Sequence, residues 1–354
     1  MYLFRLDRMP RLLSMVIFHQ LAREGAEALV IVSPEKPIIS IGYFQDAFQE
    51  VDLDYLKNSG LPLFRREVGG GTTYLDENQI FYQVIYSRKN KKFPQTIKGA
   101  YELFSEPPCR AHEHFGIKAR FREINDLVTP EGKKIGGEGG ADIGECMVFV
   151  GSMLMDFDYR TMSKVAKIPD EKWRDKVFKT LEENLTTMKK ELGELPDRRE
   201  VEEVLISEFK KVLGPLEKGE LPPDFLRRAE ALEREMQKPE FLFGKRKPVV
   251  DSLKIKSGLN LIFGQHKARG GLIRSVQEVE GPPIGGRIKD LSISGDFTLI
   301  PRLALSEKLE KSLIGSRREK FELLPRVESF IESREKEMPG VTAEDLIMAL
   351  GFKD

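Results

Sequence analysis

The chain has 354 residues, of which 40% are hydrophobic and 32% charged, and its 57 basic and 57 acidic side chains leave no net charge. That balance supplies no field to gather a polyanion or a charged bilayer surface, which argues against nucleic acid or membrane as the main partner. Two cysteines, Cys109 and Cys146, are too few for a disulfide framework or a cysteine zinc site, and no apolar run approaches the ~20 residues of a membrane helix. A cytoplasmic protein of about two domains is expected.

At the N-terminus, Arg5, Arg8 and Arg11 precede LLSMVIF, and Ala26-Glu27-Ala28 could mimic a leader cleavage site. The helical pattern is stronger: Pro10 suits a first turn, and Leu13, Val16, Ile17 and Leu21 recur at helical spacing, predicting an amphipathic helix of the mature protein. Residues 28–32 and 37–43 read as strands separated by the turn cluster Ser33-Pro34-Glu35-Lys36. Residues 51–59 read as a helix that stops at Gly60.

The stretch RREVGGGTTYLDENQ, residues 65–79, follows a short apolar run (Leu61, Leu63, Phe64) and precedes an alternating run at 80–86. Gly69, Gly70 and Gly71 give the backbone freedom to come close to a ligand, and successive amides in such a turn can form an anion-binding concavity. Arg65 and Arg66 add guanidinium forks that match a carboxylate or phosphate. A cradle for an anionic small molecule results, although a plain glycine turn would carry the same letters.

Residues 95–116 begin as a helix and are interrupted at Pro107-Pro108. His112-Glu113-His114 lacks the spacing that places two histidines on one helix face, so a solvated surface segment is expected there. Residues 124–137 predict a hairpin around Thr129-Pro130-Glu131-Gly132, with Lys134 and Gly136 on one face and Lys133 and Ile135 on the other. GGEGGADIG, residues 136–144, reads as a flexible loop without Walker or Rossmann spacing, and 146–158 as an apolar strand in which Gly151 permits close approach.

From 159 to 243 the texture is charged and helical, with a core stripe of Leu205, Phe209, Val212 and Leu213 beside Ile206, and with Trp173 as a packing residue. Residues 244–248 read as a basic linker bounded by Gly and Pro. Strands are expected at Leu253 and Ile255, at Leu259, Leu261 and Phe263, at 272–279, and at Leu291 and Ile293. Helices follow at 304–313, 320–335 and 342–350, the last with Thr342 as N-cap and Glu344 and Asp345 in its first turn.

RREVGGGTTYLD resembles the arginine–glycine loop of lipoate–protein ligases, and NDLVTPEGKKIGG (125–137) resembles that family's second signature, Asn-Asp followed by Gly-x-Lys-[Ile/Val]-x-Gly. PIISIGYFQ resembles the family strand ending in Gly-x-x-Gln, here Gly42 and Gln45, and IKDLSISGDF resembles a strand of the family's accessory domain. The resemblance implies an α+β fold: a biotin/lipoate ligase-like mixed β-sheet domain at 1–243, a linker at 244–248 and a small α+β accessory domain at 249–354 that moves against the first. It implies activation of lipoate by ATP, with Mg2+, to lipoyl-adenylate and transfer to a lysine of a lipoyl carrier protein.

Carried over by motif position, Lys134 is the catalytic residue touching both lipoate and nucleotide. Arg66 meets phosphate or carboxylate, and Gly69, Gly70, Gly71, Thr72, Thr73, Tyr74 and Asp76 belong to the adenylate loop. Asn125 and Asp126 sit near the nucleotide, Asp126 as a magnesium or adenine contact, while Gly136, Gly137 and Gly151 allow close approach. The chain departs from the family at Leu75, where a histidine is common, at Phe149-Val150-Gly151, where His-His-Gly is common, and at Gly136, where serine is common. The carrier implied is a lipoyl domain, an H-protein-like protein or a sulfur-oxidation lipoate-binding protein, and these departures suggest a divergent branch serving the last in place of a 2-oxoacid dehydrogenase. Three alternatives stay open: a cysteine-based octanoyl or lipoyl acyltransferase of the same fold, a biotin ligase, and a non-catalytic lipoate-binding protein.

Overall fold

A computed structural model describes residues 1–168, 171–244, 258–302, 304–333 and 337–352. Its first part holds eleven strands: β1 (Tyr2–Met9), β2 (Ala28–Pro34), β3 (Ile38–Ile41), β4 (Leu63–Arg65), β5 (Thr73–Leu75), β6 (Gln79–Ser87), β7 (Arg120–Arg122), β8 (Asp126–Val128), β9 (Lys134–Ile143), β10 (Cys146–Leu154) and β11 (Glu217–Lys218). Eight of them form one mixed sheet in the order β11-β1-β2-β6-β10-β9-β8-β7, and β4-β3-β5 form a second. The α+β architecture expected from the sequence is the one observed.

Period-two alternation sends the large sheet's side chains into two separate cores. Ile80, Tyr82, Val84 and Tyr86 of β6 face one, with Phe149 of β10 and with Phe104, Leu205 and Phe209 from the covering helices Ile97–Phe104 and Arg198–Leu213. Phe81 and Ile85 face the other, with Val30, Val148 and Phe18, under the helix Leu13–Arg23. That helix is buried at every position from Leu13 to Ala22. It is therefore a buried helix rather than the amphipathic one expected, because the helix Pro223–Met236 adds Phe225, Ala229 and Met236 to the same core.

Several local expectations are corrected. The basic N-terminal stretch is itself a strand, β1, parallel to β2. The helix expected over 95–116 is broken as expected, into Ile97–Phe104 and Glu106–His114, and Pro107 and Pro108 fall in the first turn of the second, where proline's missing N–H has no intrahelical role. Glu113 and His114 are exposed as expected, but His112 is buried, with Nδ1 2.7 Å from the Pro108 carbonyl oxygen one turn back. All of GGEGGADIG but its last glycine belongs to strand β9, not to a loop, and its glycines make room for neighbours: a Cβ at Gly139 would press on Val68, and one at Gly140 would collide with Ile97. Trp173 is 46% exposed and packs only loosely, with the Lys176 ammonium 4.8 Å from its ring centre.

The second part has three antiparallel strands, β12 (Leu259–Ala268), β13 (Gly271–Glu280) and β14 (Arg287–Gly295), with helices Lys320–Glu332 and Ala343–Ala349. Thr342 caps the last helix in a reciprocal capping box with Asp345. Phe263 lies on the exposed side of β12. All of the predicted linker except Gly244, and the predicted strand at Leu253 and Ile255, lie outside the described residues. No helix among the described residues is long and apolar enough to cross a membrane.

The two parts meet directly behind the glycine loop. Phe44 stacks on Phe297 at 5.0 Å, and the Gly295 N–H donates to the Phe44 carbonyl at 2.9 Å. Arg302 pairs with Glu67, which also takes Arg23 at 2.7 Å, and Arg274 pairs with Glu50. Gly42 is pressed so closely on Gly70 that a Cβ there would overlap the Gly70 carbonyl oxygen, a backbone atom with no rotamer to relieve it. Gly42→Ala is expected to destabilise the fold by about 1–3 kcal/mol, the cost of overpacking. Thermal denaturation reads this, and an unchanged melting temperature would contradict the tight packing of strand on loop.

Candidate active site

A cavity of about 340 Å³ opens between the glycine loop and the strands β6, β9 and β10. Its wall includes Arg66, Gly69, Gly70, Gly71, Thr72, Thr73, Tyr74, Asn125, Lys134, Gly137 and Gly151 from the sequence-derived set. Asp76, Asp126 and Gly136 are not part of it. Residues absent from that set also line the wall, among them Met15 and Phe18 from the buried helix, Gln79 and Gln83 of β6, Glu138 and Gly139 of β9 and Val150 of β10. The alternation of 80–86 points to Gln83, the one polar residue on its face within that run.

The loop is not a hairpin turn, because it joins β4 to β5 across β3, which lies between them. Its shape is held by Arg66, whose Nη2 donates to the carbonyls of Gly69 (3.0 Å) and Gly71 (2.7 Å), while Nη1 donates to the Ser40 carbonyl (3.2 Å). Burial pushes this guanidinium down to about 10, still charged at neutral pH. Arg65 is committed to structure, donating to the carbonyls of Tyr43, Gln45 and Leu242. The Gly70 N–H donates to the Phe297 carbonyl at 3.5 Å, so the second part of the chain is in the cradle's back wall. Gln45 Oε1 accepts from the Gly42 N–H (2.9 Å) and the Thr72 hydroxyl (3.3 Å), which explains the Gly-x-x-Gln pattern.

Across the cavity, β8 and β9 form the expected hairpin, and Lys134 Nζ lies 2.7 Å from Asp126 Oδ1. The ammonium folds over Gly137, 3.0 Å from where a Cβ would sit, so only glycine leaves it that place. Asn125 Nδ2 donates to the Glu138 carbonyl at 3.1 Å and closes the gap towards Gly70. Burial opposes ionisation of Asp126, but Lys134 and then Arg122, at 2.9 Å from Oδ2, outweigh it and hold the carboxyl below its usual range.

Both Asp126 oxygens thus face cations, and no group of three or more His, Cys, Asp or Glu among the described residues is arranged to hold a metal. A protein-held Mg2+ does not fit this arrangement. Asp76 instead caps a turn, accepting from the Asn78 N–H at 3.0 Å. Gly136 is held against the Ser152 carbonyl. Where the family carries histidines, Leu75 and Val150 line the cavity, whereas Phe149 faces the opposite core.

Neither thiol lines the cavity. Cys146 is buried, and Cys109 is pushed up to about 12 by burial, with Glu138 adding to the effect. Glu138 is itself buried, accepting from the Tyr82 hydroxyl at 2.8 Å and from Ser105. Burial pushes it up to about 8 despite those two donors and the Lys134 ammonium.

The lipoyl protein ligase A/B catalytic domain family matches residues 12–210, more than half of the chain. The chain belongs to this family. Lipoate-protein ligase A subunit 1 of Thermoplasma acidophilum is 34% identical over 159 residues, which are 42% of this chain and 59% of that protein. Octanoyltransferase LipM of Kyrpidia tusciae is 29% identical over 220 residues, 56% of this chain and 80% of that protein. Among solved structures, a bi-partite lipoate protein ligase, studied with its E2 lipoyl domain from T. acidophilum, superposes with a TM-score of 0.61 at 29% identity, covering 70% of this chain and 98% of that one. LipL1 of P. falciparum, in complex with lipoate, gives 0.65 at 16% identity over 94% of this chain and 98% of that one, which shows a shared fold.

The folded chain holds the Glu138 proton more tightly than an unfolded chain would. Stability from this group therefore falls as pH rises from about 4.5 to about 8 and is level outside that window. Glu138→Gln is expected to flatten the pH dependence of the melting temperature between these limits. An identical slope in the variant would contradict the buried protonated carboxyl.

Proposed function

We propose that the chain activates lipoate with ATP to lipoyl-adenylate and passes the lipoyl group to a specific lysine of a lipoyl carrier protein. In this reading residues 1–243 are the catalytic domain and 249–354 an accessory domain that completes the glycine cradle. The carrying observation is the Lys134 ammonium, fixed by Asp126 on the wall of a cavity whose opposite side is the Arg66-pinned loop.

Joining a carboxylic acid to an amine is uphill until the acid is activated, and a mixed anhydride with AMP provides that. The protein must hold two anions head to head, neutralise the charge that gathers between them, and keep water from the anhydride. A lysine ammonium serves the first two tasks as a compact charge. Its ion pair with Asp126 keeps it oriented before substrate arrives, so little reorganisation is needed at reaction. Met15, Phe18, Leu75, Phe81 and Val150 supply an apolar wall for an alkyl arm.

Octanoyltransferase relatives favour a thiol mechanism as the second reading. A nucleophilic cysteine needs a lowered pKa and access, and here burial raises both thiols while neither reaches the cavity. A lipoyl domain is the class of acceptor suggested by the Thermoplasma system. The departures at Leu75 and Phe149 favour a sulfur-oxidation lipoate-binding protein over a 2-oxoacid dehydrogenase lipoyl domain; equal transfer rates to the two would refute that preference.

Incubation with lipoate, ATP and Mg2+ should yield a bound lipoyl-adenylate detectable by mass spectrometry. Lys134→Ala is expected to lower its formation by about 100-fold or more. The same variant should shift stability by only about 1 kcal/mol, as for a partly exposed ion pair. A Cys109→Ala, Cys146→Ala double variant should still release pyrophosphate in the presence of lipoate. Unimpaired turnover in the lysine variant, or its loss in the cysteine variant, would overturn the ligase mechanism.

A further inference from the structure

Gln83 is 2% exposed and lines the cavity, yet its Oε1 has no hydrogen-bond partner. Its surroundings make this unusual. It stands directly across from Val30 on β2 and from Val150 on β10, and its strand neighbours on the same face, Phe81 and Ile85, belong to the apolar core under Phe18. A primary amide buried among aliphatic groups without a partner is destabilising, and such groups are normally paired. Here the amide borders the cavity, so a bound molecule is the partner available to it.

Its place in the sheet says which end of that molecule it meets. Gln83, Val150 and Gly139 lie in one row across β6, β10 and β9, and Gly137, under the Lys134 ammonium, is two residues from that row. Two strands over and two residues along is a separation of roughly 12 Å at ordinary sheet spacings. An eight-carbon acid with its carboxylate at Lys134 would bring its far end to Gln83.

Resting on the ligase reading, we propose that Gln83 is the residue that selects a dithiolane-terminated acyl chain over a plain saturated one. The amide offers N–H donors to the ring sulfurs of the oxidised form and a carbonyl acceptor to the thiols of the reduced form. A hydrocarbon terminus offers neither and leaves the amide buried and unpaired, which is how a polar group in an apolar pocket discriminates.

The test uses the full chain with two readouts. Lipoate should raise the melting temperature more than octanoate does, and should be preferred over it in kcat/KM for pyrophosphate release. In Gln83→Leu and Gln83→Met the lipoate-to-octanoate ratio should fall about three- to tenfold, the scale of one net hydrogen bond, and the difference in thermal shift should collapse. Equal shifts by the two acids in the natural protein, or an unchanged difference in both variants, overturn the role of Gln83 whether or not turnover occurs. The absence of pyrophosphate release by the natural protein with either acid would instead tell against the ligase reading, while the thermal shifts still decide the selector.

Discussion

The shape of the cavity depends on one guanidinium. Arg66 is buried and donates to the carbonyls of Gly69 and Gly71 and to Ser40, so it ties a glycine-rich loop to the strand β3 beside it. A loop rich in glycine loses more conformational freedom on ordering than any other, and charged donors are among the stronger restraints available to offset that loss. Gly42 completes the constraint by letting β3 come within contact of the Gly70 carbonyl. From the other side, Phe297 accepts from Gly70, and Thr298 closes against Gly69. The loop is thereby clamped between strand β3 and the segment that follows β14, distant in sequence, which gives the second part of the chain a physical stake in the site.

The same sheet serves two purposes by alternation. On β6, even-numbered residues build a core with the helices at 97–104 and 198–213, and odd-numbered residues border the cavity or its apolar surround. Strand β9 carries the complementary device, since glycines at 137, 139 and 140 leave space for Lys134, Val68 and Ile97 in turn. Glycine in a strand weakens it, so a run of this kind marks places where other groups must come close. Glu138 lies among these glycines with its side chain towards Tyr82 in the opposite core.

Much of this was legible beforehand. The arginine–glycine stretch, the Asn-Asp hairpin and Lys134 were readable because their chemistry is local: a turn, an alternation and a charge. The misreadings share the opposite property. GGEGGADIG has the composition of a loop and becomes a strand only because Val68, Ile97 and the Ser152 carbonyl, remote in sequence, need the missing side chains. Arg5 and Arg8 hid β1, whose pairing partner begins at Ala28. Asp76 and Asp126 sit in the right motifs, yet one caps a turn and the other holds a lysine, distinctions that a motif letter does not carry.

The two cations at the cavity are both already engaged, Arg66 by carbonyls and Lys134 by Asp126. In the proposed reading this suits a site that binds anions only briefly. An unpaired ammonium beside an apolar wall would be costly in the resting state and would hold a product anion strongly once formed. A carboxylate partner removes the first cost and weakens the second, while keeping the ammonium at one position over Gly137. Because Asp126 is in turn held by Arg122, it stays ionised and in place, so on the ligase reading an arriving anion would meet a lysine whose direction is fixed by its neighbours. Preorganisation of this kind places the energetic burden on folding, carried by the hairpin β8–β9, rather than on the reaction step.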